Sequence, residues 1–234
     1  MNTLYNKHFF PLESNPDVFT KLIHSLGSPP SLVFEDVISL DEPNLLPHPA
    51  LALILVLPTT ERYERRKESE DALYETISQG DLEESVVWFK QTINNACGLY
   101  ATIHALSNSE ARDMFQPKSV MATIFDTPPG ERALLVENSA ELERAYAKVA
   151  TQGQSAVPGR AEDEVDLHYV CFVRSQKNGR LYELDGDRKG PLDRGVLLPE
   201  ADLLGSGVPS VIRDCIRIEA DNISFSLMAL VRRD

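Results

Sequence analysis

The stretch from Gln91 to Asn108, QTINNACGLYATIHALSN, places a glutamine six residues before a cysteine and the cysteine at the mouth of an apolar, helically spaced run. Leu99, Ile103 and Leu106 recur at that spacing and Asn95 supplies an N-cap, so a helix is predicted with Cys97 in its first turn. Unpaired amide groups and the helix dipole put partial positive charge near such a sulfur, a setting that favours the nucleophilic thiolate. On this segment alone, a small buried cysteine packing as a hydrophobe is the commoner case. The rest of the chain has to decide between the two.

A nucleophilic thiol needs a base to take its proton and a third group to orient that base. Of the five histidines, His104 lies seven residues downstream on the same helix, roughly 10 Å along its axis. That is too far for a direct hydrogen bond, and His104 reads as a packing or surface residue. His8, His24 and His48 fall in a tail, on an amphipathic helix and between two prolines, and nothing nearby singles them out. His168 opens an apolar strand after a long loop, and the returning strand of the same hairpin delivers Asp185 in LYELDG. Two registers are open. A two-residue turn at Asn178-Gly179 sets His168 opposite Lys189, with Asp187 nearer than Asp185, whereas a wider loop centred near Gln176 sets Asp185 opposite His168.

Gln91 then has a chemical use. Its side-chain amide can donate to the oxyanion formed when a thiolate attacks a carbonyl, with the Cys97 backbone N–H as second donor. Preorganised donors of this kind stabilise a transition state by about 3 to 4 kcal/mol. Singly, Gln91 is an ordinary polar residue before a turn; the weight lies in four matching roles in the order Cys, His, Asp with the donor just upstream.

Strand and helix signals interleave along the chain. Residues 15–27, NPDVFTKLIHSLG, read as a helix with Asn15 as N-cap, Pro16 at the first helical position and Gly27 beyond the end. SLVFEDVISL and LALILVLP read as strands, the second buried on both faces because it lacks polar alternation. ERYERRKESEDALYETISQG reads as a charged helix with Leu73 and Ile77 facing in and Gly80 as its stop, and SVVWFKQTI has a β-rich character. Asn138 to Ala150 fits a helix with Asn138 as N-cap and Glu141 in a capping box. TQGQSAVPGRAEDEVD, 151–166, is longer than most connections in a compact domain and therefore a candidate functional loop. A helical VPSVIRDCIRIEA and a strand NISFSLMALV follow the hairpin. No linker divides these elements, so residues 1–234 read as one α/β domain.

Composition narrows the function. The formal charge of -13 argues against nucleic acid as a ligand and favours a basic protein partner. Three widely separated cysteines suit neither a disulfide framework nor a metal site, which points to a reducing, cytoplasmic compartment. The longest apolar run, Ala50 to Leu57, is less than half the roughly 20 residues a membrane helix needs, and no signal peptide is expected.

Taken together, QTINNACGLYATIHAL, DLHYVCFV and LYELDG resemble the glutamine, cysteine, histidine and aspartate motifs of the ubiquitin carboxyl-terminal hydrolases. PLESNPDVF, FEDV, LPTTERYE and FSLMAL extend the likeness over nearly the whole chain, in the manner of the short branch without a C-terminal extension. The resemblance implies a papain-like α/β (α+β) fold, with a central, mostly antiparallel six-stranded sheet flanked by helices and a knotted backbone. It implies that 150–166 crosses over the active site. It makes Cys97 the nucleophile, His168 the base, Asp185 its orienter and Gln91 the oxyanion donor, and favours Asp185 over Asp187. Leu12, Glu13, Asp36 and Leu167 become substrate-binding residues, with Glu13 and Asp36 meeting basic residues of the partner. That partner is ubiquitin or a ubiquitin-like modifier, the leaving group is small or unfolded, and the enzyme is a monomer without metal or cofactor. Two rivals are a non-catalytic ubiquitin-binding module and a thiol acyltransferase on a related fold; the first has no need of a complete set of nucleophile, base, orienter and donor.

Overall fold

The computed structural model describes the chain apart from residues 1–4, 43–44, 46, 48, 73–84, 156, 198–201, 206, 220–223 and 234. Its centre is strand β3 (Ala50–Pro58), buried along nearly its whole length. Successive residues point to opposite faces of a strand, so Ala52, Ile54 and Val56 enter one core while Leu53, Leu55 and Leu57 enter another. A strand packed on both faces has no solvent side, which is why its sequence does not alternate.

β3 lies inside a six-stranded sheet with β2 (Leu32–Asp36), β5 (Leu167–Arg174), β6 (Arg180–Leu184), β7 (Leu192–Val196) and β8 (Ser226–Arg232). The order is β2-β8-β3-β5-β6-β7, every pair antiparallel. On one face pack α1 (Pro16–Ser25), α3 (Cys97–Ser107), α4 (Val120–Asp126), α5 (Pro129–Asn138) and α6 (Ala140–Ala150). On the other lie α2 (Glu61–Ala72), through Tyr63, and α7 (Val208–Ile218), through Val208 and Ile212. All eleven residues of α3 are buried, so it is the core of its layer and presents no face to water. A two-residue parallel pairing joins β1 (Lys7–His8) to β4 (Ile93–Asn94) just ahead of it.

Local signals set α1 as expected: the Asn15 side chain accepts from the Asp17 N–H at 2.9 Å, Pro16 opens the helix and Gly27 follows it at φ 96°. Other boundaries differ. The N-cap of α6 is Ser139, whose hydroxyl accepts from the Leu142 N–H at 3.2 Å; Asn138 is the last residue of α5, because two helices abut at that point. α4, α5 and β7 went unread in the sequence. The β-rich 85–93 forms no strand before Ile93. Its backbone bonds to side chains instead: Val87 N–H to Asn108 Oδ1 at 2.6 Å and Phe89 N–H to His104 Nε2 at 3.0 Å. The charged helix is described as far as Ala72, and Leu73, Ile77, Gly80 and His48 lie outside the described residues. Among those described, no helix is long and apolar enough to cross a membrane.

α2 buries only Tyr63, and ions hold the rest of it. The guanidinium of Arg188, with a fully buried side chain, lies 2.8 Å from Glu70 and 3.1 Å from Asp71 on α2, and 3.8 Å from Glu183 on β6. Removing one member of a buried ion cluster leaves its partners uncompensated, so Arg188→Ala is expected to destabilise the fold by about 3 to 5 kcal/mol in urea titrations. A loss within 1 kcal/mol, the range of a surface pair, would show that solvent screens the cluster.

Candidate active site

Cys97 is the first residue of α3. The N-cap is Ala96 rather than the expected Asn95, and it carries no side chain that can cap the helix. The first-turn amides near the sulfur therefore lack the side-chain acceptor that a serine or aspartate would provide. Asn95 instead turns the chain into the helix from a left-handed conformation, φ 57°, and its amide reaches elsewhere: Nδ2 donates to the carbonyls of Ala161 and Asp163 at 2.9 and 2.8 Å. Cys171 and Cys215 are also buried free thiols, and burial pushes both upward in pKa, the state of inert packing cysteines.

His168 is the second residue of β5, opposite Leu57 of β3. Its Nε2 shares a hydrogen bond with Asp185 Oδ1 at 2.8 Å, which leaves Nδ1 for the neighbouring Cys97 sulfur. Burial alone would lower the pKa of this imidazole. The charge of Asp185, the bond to it and the adjacent sulfur outweigh burial and hold His168 well above the ordinary 6.5. Burial likewise works against the Asp185 charge, and His168, Lys67 and the Asp187 N–H overcome it, leaving that carboxyl below its ordinary range.

The hairpin follows neither register expected. Arg174 pairs with Leu181 and Cys171 with Leu184, around a four-residue connection at 176–179. Continued, that ladder would face His168 with Asp187, but pairing stops at Leu184 and the chain leaves the sheet. Asp185 then reaches His168 from outside the ladder. Asp187 supports it, donating its N–H to Asp185 Oδ1 at 2.8 Å while its own carboxylate pairs with Lys67. Oδ2 of Asp185 accepts from the Tyr63 hydroxyl at 3.2 Å, and Trp88 Nε1 donates to the Asp185 carbonyl at 3.0 Å.

Gln91 is buried beside this turn. Its N–H donates to the Gly186 carbonyl at 2.8 Å and its Nε2 to the Ile93 carbonyl at 3.0 Å, so one amide hydrogen is left over. The approach at Gly186 is close: a Cβ there would stand 2.9 Å from Cβ of Gln91 and 3.1 Å from its backbone nitrogen. His104 is fully buried and accepts from Phe89 N–H, with its pKa lowered to about 4 by burial; it is a neutral packing residue.

A pocket of about 290 Å³ includes Cys97 in its lining, with Leu12, Glu13, Gln152, Val157, Leu167 and Tyr169 among others. The Tyr169 hydroxyl donates to the Leu12 carbonyl at 2.8 Å and fixes that wall. Glu13 faces the loop: its carboxylate accepts from the Gln154 N–H at 2.7 Å and from Ser155, and with the Asn15 amide these bonds lower its pKa to about 2. Asp36 is not part of this lining; it is exposed at the end of β2 beside Asp17. Two larger clefts, about 690 and 590 Å³, contain none of the expected site residues.

The sequence reading missed Tyr63, Trp88 and Tyr5. The β1–β4 pairing draws the N-terminal segment past the site, and burial, then Asp187 and Asp185, raise the Tyr5 pKa to about 12. Tyr63, in the quoted LPTTERYE, and Trp88, in SVVWFKQTI, stood in stretches that had attracted notice for other reasons.

A thiol at a helix start, an imidazole bonded to a buried carboxylate and a spare amide N–H form the donor set of a cysteine hydrolase. The chain belongs to the cysteine peptidases of ubiquitin carboxyl-terminal hydrolase family 1, whose model matches residues 9–217. It is 31% identical over 235 residues to ubiquitin carboxyl-terminal hydrolase 3 of Arabidopsis thaliana, covering 97% of this chain and 96% of that one. It is 32% identical over 230 residues to the human ubiquitin carboxyl-terminal hydrolase isozyme L1, covering 95% and 97%. The UCH37 catalytic domain of Trichinella spiralis, solved bound to ubiquitin vinyl methyl ester, shares the fold at a TM-score of 0.73 and 23% identity, covering 98% of each chain.

Two outcomes are expected. The histidine's share of stability is complete below about pH 6.5 and fades as pH rises through its raised folded value, whereas the aspartate's is complete above about pH 4 and fades as pH falls toward its lowered value. The stability gap between wild type and Asp185→Asn should therefore be widest between about pH 4.5 and 6.5 in urea titrations, and a flat gap would mean the pair is not charged in the folded protein. Gly186→Ala should disturb Gln91 directly and lower activity on any substrate, with KM little changed; wild-type kcat would show that the turn yields without moving Gln91.

Proposed function

We propose that the protein is a deubiquitinating peptidase that hydrolyses small adducts, esters and short or unfolded peptides from the C-terminal glycine of ubiquitin or a ubiquitin-like modifier. The observation that carries this reading is the His168–Asp185 pair beside Cys97, which lines a pocket of about 290 Å³. Solved relatives bound to ubiquitin vinyl methyl ester supply the partner.

In this reading the proton shared with Cys97 already rests on His168 Nδ1, and the sulfur facing it attacks the glycine carbonyl. The oxyanion accepts from the Cys97 N–H and the spare amide hydrogen of Gln91. Collapse breaks the bond to the leaving group, which takes the proton from His168 and departs. Water then gives one proton to His168 and attacks the thioester; the bond to sulfur breaks, the glycine carboxylic acid leaves and gives its proton to solvent, and the Cys97–His168 pair is restored. Asp185 holds the ring in place throughout and stays ionised.

Leu12, Glu13 and Leu167 would flank the tail. Asp36, remote from the pocket lining, would act at the rim, where a charge governs encounter rather than chemistry. Residues 150–166 would cross the cleft, so that a tail threads beneath them while a folded adduct is held out. The whole chain would work as one cytoplasmic, monomeric catalytic domain.

Incubation with ubiquitin carrying a C-terminal electrophile tests the reading. A one-to-one adduct mapped to Cys97 is expected, with none in Cys97→Ala, which should still bind ubiquitin. Binding without an adduct would favour a non-catalytic module. Gln91→Ala should cut kcat by about 10²-fold or more with little change in KM. An effect confined to KM would move Gln91 from the oxyanion to substrate binding.

A further inference from the structure

The turn that carries Asp185 leaves the sheet after Leu184, so its carbonyls have no ladder to join. Acceptors removed from water have to find donors elsewhere. Four in succession find them in one short stretch ahead of Cys97. Trp88 Nε1 donates to the Asp185 carbonyl at 3.0 Å, the Gln91 N–H to Gly186 at 2.8 Å, and Lys90 Nζ to both Asp187 and Arg188 at 3.0 and 3.1 Å. Lys67, from α2, takes the Asp187 carboxylate instead. The Lys90 ammonium sits there at a cost, because burial lowers its pKa against the pull of Asp187 and Asp185.

We propose that Lys90 is a positioning residue for the hydrolytic step, whose ammonium, bonded to the Asp187 and Arg188 carbonyls, holds the turn that aims Asp185 at His168 in a fixed place relative to Gln91. The inference rests on the reading that His168, Asp185 and Gln91 serve one reaction at Cys97. Connectivity supplies the argument. Asp187 donates its N–H to Asp185 Oδ1 at 2.8 Å, so the residue that steadies the orienting carboxylate is held on its other peptide group by Lys90. Lys90 in turn directly precedes Gln91, whose own N–H is on Gly186. The base-orienting side of the site and the oxyanion side are thereby joined through neighbouring residues. Without the Lys90 donors, the Asp187 and Arg188 carbonyls lose these partners and the turn is free to draw Asp185 away from His168, while the Gln91 N–H keeps its bond.

Two substitutions separate the donors from the stem. Lys90→Met keeps most of the aliphatic chain and deletes the donors, whereas Lys90→Arg keeps both charge and donors. For each, kcat and KM would be measured on a small ubiquitin ester, and the protonation of His168 followed by NMR of ring-labelled histidine, assigned against His168→Ala. Lys90→Met should lower kcat about tenfold, the worth of one or two net hydrogen bonds, with KM little changed. His168 should also lose its proton at a lower pH than in wild type, because burial then acts on the ring against a weaker Asp185 bond. The sign separates positioning from charge: deleting a cation beside Asp185 with the turn left in place would make His168 harder to deprotonate. Lys90→Arg should recover most of both losses. A wild-type kcat in Lys90→Met, a His168 that titrates there as in wild type or at higher pH, or a Lys90→Arg as damaged as Lys90→Met would each overturn the proposal. Should Lys90→Met not fold, Lys90→Gln, one bond shorter than lysine, carries the same readouts. A wild type inactive on the ester would refute the hydrolase reading itself, and the NMR titration, which needs no turnover, would still decide whether Lys90 keeps Asp185 on His168.

Discussion

A buried carboxylate constrains this structure more than any other group. Taking an ion of that size out of water costs several kcal/mol even after relaxation, so Asp185 is stable in its position only if other parts of the chain supply compensating partners. They come from five places: the ring of His168 on β5, the hydroxyl of Tyr63 and the ammonium of Lys67 on α2, the Asp187 N–H in its own turn, and the Arg188 guanidinium at 3.8 Å. Arg188 passes the requirement on, because it is itself buried against Glu70, Asp71 and Glu183. α2, with little apolar surface to bury, is thereby bound to the sheet edge, and the imidazole beside Cys97 is aimed by the same contacts that hold the helix.

The segment before Cys97 shows the same economy from the other side. Residues 87–91 look like a strand in sequence because Val87, Trp88 and Phe89 are strand formers. Yet their backbone groups are claimed by His104 and Asn108 at the far end of α3 and by the Gly186 carbonyl. α3 thus fixes both ends of the relevant geometry, holding the sulfur at its first turn and, through its last turns, the chain that carries Gln91. His104 explains why a histidine on this helix need not be a base: protonation would remove the acceptor that Phe89 N–H uses, and burial keeps the ring neutral.

What was legible in the sequence was whatever local chemistry decides. The cap of α1 and the unalternating β3 follow from residues within a few positions of one another. What was not legible depends on distant partners. Hairpin register hinged on a four-residue connection whose Gly179 N–H bonds the Ser175 carbonyl, and on pairing that ends at Leu184. Asn95 looked like a cap because Asn is a capping residue, and nothing within its own segment reveals that its amide serves Ala161 and Asp163, some 66 and 68 positions away. Asn138 lost its capping role to Ser139 only because another helix ends there.

The two parts of the site differ in how firmly they are held. His168 and Asp185 sit among buried partners where losing one bond strands a charge, so their geometry is costly to disturb. The loop above the pocket is held by bonds that are mostly exposed, from Glu13 to Gln154 and Ser155 and from Asn95 to Asp163, each worth about 1 kcal/mol net. Local opening draws on the weakest bonds first. The loop can therefore shift at the cost of a few exposed hydrogen bonds while the ring of His168 stays on Asp185, so the two parts of the site make independent demands on the fold.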